Sequence, residues 1–468
     1  MADLGLRITL VCFVLLRSRL GRDTAFAWVV VIATVPVLGG FFYLLFGEVH
    51  LGRRRSEQHA RIQERVSAAC ADTVPHSPFP ELSERAQPVA LLAEHMGGSP
   101  PRGGHALELL AREDEFADRL VAEIEGARAH VHLLTYIFLA DTTGRRVVAA
   151  LSEAARRGVR CRVLVDAVGS RSFLDQPLAD DLRVAGVELV AALPASPLRR
   201  GLARLDLRNH RKLVVVDGAL ALLGSHNVVD AGFAPKARYA PWIDASIVLR
   251  GPLVRDLQEV FVVDWYQDAD ESLEELLGCA LPHESDGVAA QVLATGPNQA
   301  GEGMRQLIQA ALQTAREEVC MTTPYFVPDQ ATLSALCAAA QRGVDVLLIL
   351  PRKNDSFLVR LAAASFFEEL LEAGVRIERH GQGLLHAKTI TIDRELALLG
   401  SANLDRRSFE LNFELSVLVY DSDFASQLRL LQRSYLNECE PVQEMAWRRR
   451  PWWRRLAQNA AGTLAPLL

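Results

Sequence analysis

Apolar positions along the chain fall into three regimes. From Ala25 to Phe46 the sequence AFAWVVVIATVPVLGGFFYLLF runs 22 residues without a charge, long enough as one helix to cross a hydrocarbon core of about 30 Å. Before it, LRITLVCFVLL (Leu6–Leu16) is shorter and interrupted by Arg7, the pattern of a weaker first span. Residues 1–50 are therefore expected to form a membrane anchor of one or two transmembrane helices, with Trp28 and Tyr43 near the ends of the longer one where interfacial aromatics belong. The cluster Arg53, Arg54 and Arg55, with Arg61 and Arg65 beyond, places the rest of the chain on the cytoplasmic side by the positive-inside rule.

The second regime, residues 51–112, is polar and punctuated by Pro75, Pro78, Pro80, Pro88, Pro100, Pro101, Gly103 and Gly104, and reads as a linker with a short helix or two. The third regime alternates β-branched runs with amphipathic stretches, twice in the same order. VHLLTYIF and VRCRVLVDA in the first half answer to EEVCMTTPYF and VDVLLILP in the second, with helical patterns between them. This predicts α/β units on a mostly parallel sheet, and the repeated order predicts an internal duplication with a pseudo-twofold relation. The expected units are residues 113–285 and 286–440, followed by a basic aromatic tail, 441–468.

Composition narrows the function. Seven cysteines lie scattered without CxxC pairs or histidines at zinc spacing, which argues against a metal cluster and against a secreted disulfide scaffold. The net charge is −6 although both ends are rich in arginine, so the body of the chain is acidic and lacks the basic face of a nucleic-acid binder. Only four lysines occur (Lys212, Lys236, Lys353 and Lys388). Two of them fall in one repeated motif.

That motif is NHRKLVVVDGALALLGSHN (Asn209–Asn227) in the first half and LHAKTITIDRELALLGSAN (Leu385–Asn403) in the second. Each contains H-x-K-x4-D followed by an apolar run and Gly-Ser-x-Asn. On a strand, side chains two apart share a face, which pairs His210 with Lys212 and His386 with Lys388. Asp217-Gly218 and Asp393-Arg394 read as turns. Glycine then permits close approach to a ligand, and Ser225, Asn227, Ser401 and Asn403 supply uncharged donors. An imidazole, an ammonium and neutral donors suit a phosphodiester, the imidazole attacking or protonating and the donors stabilising charge on the non-bridging oxygens. Displacement at phosphorus followed by transfer needs a nucleophile and an acid, and two facing copies of the motif supply both.

With these residues in view, the chain resembles the phospholipase D superfamily, and within it the membrane-anchored bacterial cardiolipin synthases. The resemblance rests on both H-x-K-x4-D…GSxN motifs and on TYIFLAD (Thr135–Asp141), RNHRK (Arg208–Lys212), PWID (Pro241–Asp244), FVVDW (Phe261–Trp265), TPYFVPD (Thr323–Asp329), LLHAK (Leu384–Lys388) and GSANLDRRSFELNFE (Gly400–Glu414). It implies two phospholipase D-like α/β/α sandwich domains and phosphatidyl transfer without metal or other cofactor. One phosphatidylglycerol gives a phosphohistidine and glycerol, and a second captures the phosphatidyl group as cardiolipin. The implied catalytic set is His210, Lys212, Asp217, His386, Lys388 and Asp393, with His210 as nucleophile and His386 as general acid and then base. Asn227, Asn403, Ser225 and Ser401 are implied as phosphate ligands. Asp244 and Glu414 resemble the acids that fix the far nitrogen of each histidine, while Asp217 and Asp393 also suit a turn-closing role. The implied location is the bacterial inner membrane, with membrane phospholipids as partners and no nucleic acid.

Alternatives within the same chemistry are a phospholipase D that uses water and releases phosphatidic acid, and a phosphatidyltransferase that takes phosphatidylethanolamine as donor. Asp166, Asp355 and Ser356 end strands on the ligand side, where capping is an equal reading. Tyr136 and Tyr325 suit either core packing or the lipid entrance. The tail AWRRRPWWRRL (Ala446–Leu456) suits either an anionic membrane surface or a solvated basic helix.

Overall fold

A computed structural model describes residues 2–16, 22–47, 53–71, 80–112, 114–194, 206–277, 287–297 and 303–463. The expected unit boundary at 285/286 lies outside them, as do Pro75 and Pro78.

The duplication takes the form of one continuous mixed sheet. Its strands are β1 (Arg102–Leu110), β2 (His130–Thr135), β3 (Arg160–Asp166), β4 (Glu188–Ala192), β5 (Arg208–Asn209), β6 (Leu213–Val216), β7 (Leu220–Gly224), β9 (Ser246–Arg250), β10 (Val288–Thr295), β11 (Glu318–Thr322), β13 (Asp345–Pro351), β14 (Arg376–His380), β16 (Thr389–Ile392), β17 (Leu396–Gly400), β19 (Asn412–Val419) and β20 (Cys439–Pro441). The spatial order β4-β3-β2-β6-β7-β9-β1 is mirrored by β14-β13-β11-β16-β17-β19-β10, and the halves join where β1 pairs antiparallel with β10. Two short ladders lie outside it: β8 (Trp242–Ile243) with β15 (Leu384–Leu385), and β12 (Phe326–Val327) with β18 (Leu404–Asp405).

The sheet is not mostly parallel. Parallel pairing is confined to β2-β3-β4, β11-β13-β14 and the β5-β19 contact, where helical crossovers intervene or the halves exchange short strands. The motif strands form hairpins, and a hairpin is antiparallel by construction. The stretch expected as a linker also behaves differently. It contains helices Arg53–Ala71 and Ala86–His95 and ends in β1, which lies at the centre of the sheet. Its pairs of glycines and prolines masked a strand whose burial alternates only partly.

Helices cover both faces. Glu115–Gly126, Thr142–Arg156 and Pro177–Val184 bury Leu120, Ile124, Val147, Leu151 and Leu182 against β2 and β3. Gly303–Thr314, Gln330–Gln341 and Phe357–Glu372 do the same in the second half. On the opposite face Leu253–Ala269 and Ser422–Tyr435 share one core that spans both halves, and Ile62 and Val66 of Arg53–Ala71 extend it. These are the α/β/α layers expected of a sheet apolar on both faces.

Residues 25–46 do not form the single helix expected. Helix Arg22–Thr34 ends at Val35 and Pro36–Phe46 begins anew. Proline lacks the amide hydrogen of a continuous helix and drives the preceding residue out of the α region, and Val35 sits at φ −132°, ψ 77°. The chain folds back there, so Trp28 and Tyr43, expected at opposite ends, are buried together with ring centroids 5.5 Å apart. Among the described residues no helix is long and apolar enough to cross a membrane. Helix Ala2–Leu15 packs on this pair, while Phe26, Val37, Leu38, Phe41 and Phe42 face outward.

Candidate active site

Both motif hairpins have the same register, Leu213↔Leu223 and Val216↔Leu220 in the first and Thr389↔Leu399 and Ile392↔Leu396 in the second. Each turn places two residues at positive φ, Asp217 (54°) with Gly218 (63°) and Asp393 (51°) with Arg394 (56°). The aspartates bridge the turn to the neighbouring strand. Asp217 accepts hydrogen bonds from the amides of Arg128, Ala129 and His130 at 2.7 to 2.9 Å, and Asp393 from those of Arg316, Glu317 and Glu318 at 2.8 to 2.9 Å. Each lies at the end of its strand away from the histidine, so the structure does not bring Asp217 or Asp393 into the site.

At the other end His210, Lys212, His386 and Lys388 come together, all less than 9 % exposed. Each histidine arrives on a segment borrowed by the opposite half. β5 adds to β19, with the His210 amide donating to the Phe413 carbonyl at 2.9 Å. β15 adds to β8, with the His386 and Ala387 amides donating to Ile243 at 2.7 and 2.8 Å. The carboxylates cross in the same sense. Glu414 of the second half accepts from His210 Nδ1 at 2.9 Å, and Asp244 of the first accepts from His386 Nδ1 at 2.6 Å. This fixes the Nδ1–H tautomer and leaves each Nε2 lone pair free to react.

Ser225 and Ser401 serve the carboxylates rather than a ligand. Ser225 Oγ donates to Asp244 at 2.6 Å and Ser401 Oγ donates to Glu414, and both serines are fully buried. The expectation that they bind phosphate is corrected by this geometry. The glycines before them make room for backbone, not ligand: a Cβ on Gly224 would lie 2.4 Å from Ser246 Cα, and one on Gly400 2.2 Å from the Leu415 carbonyl oxygen.

Lys212 and Lys388 each donate one hydrogen bond to the carbonyl of their own histidine, at 2.7 and 2.6 Å, leaving two ammonium donors apiece. Asn227 accepts from the Ile137 amide at 3.1 Å through Oδ1. Asn403 meets the Ser408 hydroxyl at 3.2 Å through Nδ2, and its buried Oδ1 is without a partner. Tyr136 packs edge-on to His210, centroids 4.8 Å apart, with Lys212 Nζ 5.3 Å from its ring. Trp242 covers His386 at 4.5 Å. Tyr325 donates to Asp355 at 2.7 Å, and Asp355 also pairs with Lys236. Ser356 caps its helix through the Val359 amide.

Burial dominates the electrostatics. It pushes both histidines down to about 4, the nearby lysines adding to the effect and the partner carboxylates opposing it. Burial likewise lowers Lys212 to about 7 and Lys388 to about 8. It would raise Asp244 and Glu414, but His386 beside the first and His210 and Lys212 beside the second outweigh it, and both carboxyls stay below their ordinary range. Lys388 perturbs His210 and Lys212 perturbs His386, so the two motifs share one charge environment. Two ammoniums, two carboxylates and two neutral imidazoles sum to zero charge.

Sequence reasoning missed the frame behind His210. Asp264 accepts from Asn209 Nδ2 at 2.9 Å and from Arg211 Nη1 at 2.7 Å, while Arg211 Nε donates to the Glu414 carbonyl at 3.1 Å. Asp166, singled out in the sequence as a strand-end residue, accepts from the Asn209 amide at 3.0 Å and from those of Val168 and Gly169. The available signal was a charged residue inside the apolar run FVVDW, since a buried aspartate requires a partner.

A duplicated α/β fold that closes two His–Lys sets around one neutral, buried cleft defines a phosphodiester-transferring protein of the phospholipase D type. The family described as "Cardiolipin synthase, PLD-like domain" matches residues 120–265 and 308–432, and a phospholipase D-nuclease N-terminal family matches residues 6–48. The chain belongs to this cardiolipin synthase family. It is 38 % identical to cardiolipin synthase A of Edwardsiella ictaluri over 460 residues, 97 % of this chain and 95 % of that one. Cardiolipin synthase A of Yersinia pseudotuberculosis gives the same identity and coverage. Among solved structures, a phosphatidylserine synthase from Haemophilus influenzae shares the fold at a TM-score of 0.60 and 14 % identity, over 81 % of this chain and 98 % of that chain.

Proposed function

We propose that the protein is a cardiolipin synthase that moves a phosphatidyl group from one phosphatidylglycerol to another and releases glycerol. The observation that carries this reading is the pair of Nε2 atoms, each freed by a carboxylate from the opposite half, in one cleft with two ammoniums. His210 Nε2 attacks phosphorus, the bond to the glycerol oxygen breaks, and His386 gives that oxygen a proton. A hydroxyl of the second phosphatidylglycerol then loses its proton to His386 and attacks the phosphohistidine, releasing His210. The phosphodiester brings a negative charge beside the neutral imidazole of His386, which favours uptake of the proton that His386 must donate. Lys212 and Lys388 hold the non-bridging oxygens, joined by Asn227 through Nδ2 and by Asn403 once its amide turns so that Ser408 donates to Oδ1.

Membrane attachment through the apolar helices within residues 2–47 suits substrates that stay in the bilayer, and the arginines of Arg53–Ala71 favour a cytoplasmic cleft. The test is lipid mass spectrometry after incubating the purified protein with phosphatidylglycerol vesicles in chelator. Cardiolipin with equimolar glycerol, lost in His210→Ala and His386→Ala, is expected. Phosphatidic acid in place of cardiolipin would make water the acceptor and overturn the synthase reading.

A further inference from the structure

Helix Trp452–Thr463 is amphipathic in the reverse of the usual sense. It lies antiparallel along Phe357–Glu372: Arg450 pairs with Glu368 near one end, and Ala461 packs on Ala362 and Val327 near the other. Its inward face consists of Gln458, Ala461 and Gly462. A Cβ on Gly462 would lie 2.5 Å from Ser365 Oγ, so the seam depends on small side chains. The large apolar residues occupy the opposite face. Trp452 is 75 % exposed, Trp453 54 % and Leu456 61 %, and their spacing sets them on one stripe. A helix stabilised by the core alone would turn that stripe inward, and an exposed stripe of this kind marks an interaction surface.

Charge selects the occupant. Residues 447–463 contain five arginines and no acidic residue. Arg448, Arg450 and Arg455 tie the segment to Glu372 and Glu368. Arg449 and Arg454 have no acidic partner among the described residues, and Arg454 lies 5.1 Å from the Trp453 ring. A tryptophan stripe flanked by uncompensated arginines complements the headgroup region of an anionic lipid surface. A second copy docked on the same patch would set these cations against each other. We propose that Trp452–Thr463 is a membrane-docking helix that seats Trp452, Trp453 and Leu456 among anionic headgroups. Antiparallel packing leads its other end toward the start of Phe357–Glu372, where Phe357 and Leu358 are exposed and follow Asp355, a carboxylate that acts on Lys388 of the site. The inference is independent of the reaction the histidines catalyse.

The test uses the full chain in nanodiscs carrying brominated acyl chains, with tryptophan emission as readout. Trp452 and Trp453 are two of six tryptophans. Quenching in phosphatidylglycerol discs is expected to exceed that of the Trp452→Tyr/Trp453→Tyr variant. The difference is expected to shrink severalfold in zwitterionic discs, in high salt, or in Arg449→Gln/Arg454→Gln. Because these side chains are exposed, the variants should keep the parent Tm. Equal quenching of parent and variant in anionic discs would overturn the proposal. So would a signal that follows protein-to-lipid ratio, the mark of a second copy. Loss of cardiolipin formation with quenching intact would count against the proposed reaction and leave the docking helix standing.

Discussion

Each histidine is held by a carboxylate from the opposite half, Glu414 for His210 and Asp244 for His386, yet the chain around each is anchored differently. Beside His210 stand Asn209 and Arg211, both clamped by the buried carboxylate of Asp264. Beside His386 the same positions are Leu385 and Ala387, both buried in an apolar cluster, and the amides of His386 and Ala387 donate to the Ile243 carbonyl. A nucleophile that becomes covalently bonded to phosphorus benefits from a stiff mount, because small displacements reduce attack steeply. An acid and base that hands a proton to two different alcohols tolerates a plainer one. The difference supports His210 as the attacking residue under the proposed mechanism.

Breaking the crossed pairs should have the largest effect and should separate the halves. Glu414→Gln and Asp244→Asn are each expected to lower kcat by roughly 10⁴-fold, the loss when an orienting carboxylate becomes its amide. Rapid-quench labelling with phosphate-labelled lipid should show little phosphohistidine in Glu414→Gln, whose nucleophile is misoriented. Asp244→Asn should show the larger residual burst. The reverse ranking would assign attack to His386.

Asp264→Ala leaves Arg211 buried without its carboxylate and is expected to cost about 3–5 kcal/mol, read as a fall in denaturation midpoint. The apolar mount should respond through packing instead. Leu385→Ala is expected to cost about 2–5 kcal/mol and to lack the sensitivity to salt and pH that an uncompensated charge brings.

The pH profile of kcat/KM reports the free enzyme. Protonation disables a nucleophile, so kcat/KM should fall below about pH 4, where His210 gains its proton, and because His386 must carry a proton to act as the acid it should also decline as pH rises above the value of about 4 that burial gives His386. Deprotonation disables the phosphate ligands, so activity should also fall as pH rises through about 7 to 8, where Lys212 and then Lys388 become neutral. An acid limb near the ordinary histidine value of about 6.5 would show that burial does not control the site.

The smallest catalytic effect belongs to the turns. Asp217→Ala and Asp393→Ala each remove a carboxylate that accepts three amide hydrogen bonds, and a destabilisation of about 1.5–3 kcal/mol is expected with kcat of the folded protein nearly unchanged. A large fall in kcat would return these aspartates to the chemistry.

Local pattern determined a good deal of this protein. The repeated H-x-K-x4-D…GSxN, its hairpin turns and the flanking α/β order could be read directly, because each depends on residues close in sequence and on the periods of strand and helix. The identity of the four motif residues in the cleft was legible for the same reason. Tertiary structure decided what depends on neighbours distant along the chain. Glu414 pairs with His210 across 204 residues and Asp244 with His386 across 142, and no periodicity encodes such a pairing. Nor could spacing reveal that Ser225 and Ser401 face the carboxylates, that β1 joins the halves, or that Val35 and Pro36 fold an apolar run back on itself. In each case the side chain's role is set by what packs against it, and burial then moved the histidine and lysine charges far from their ordinary values.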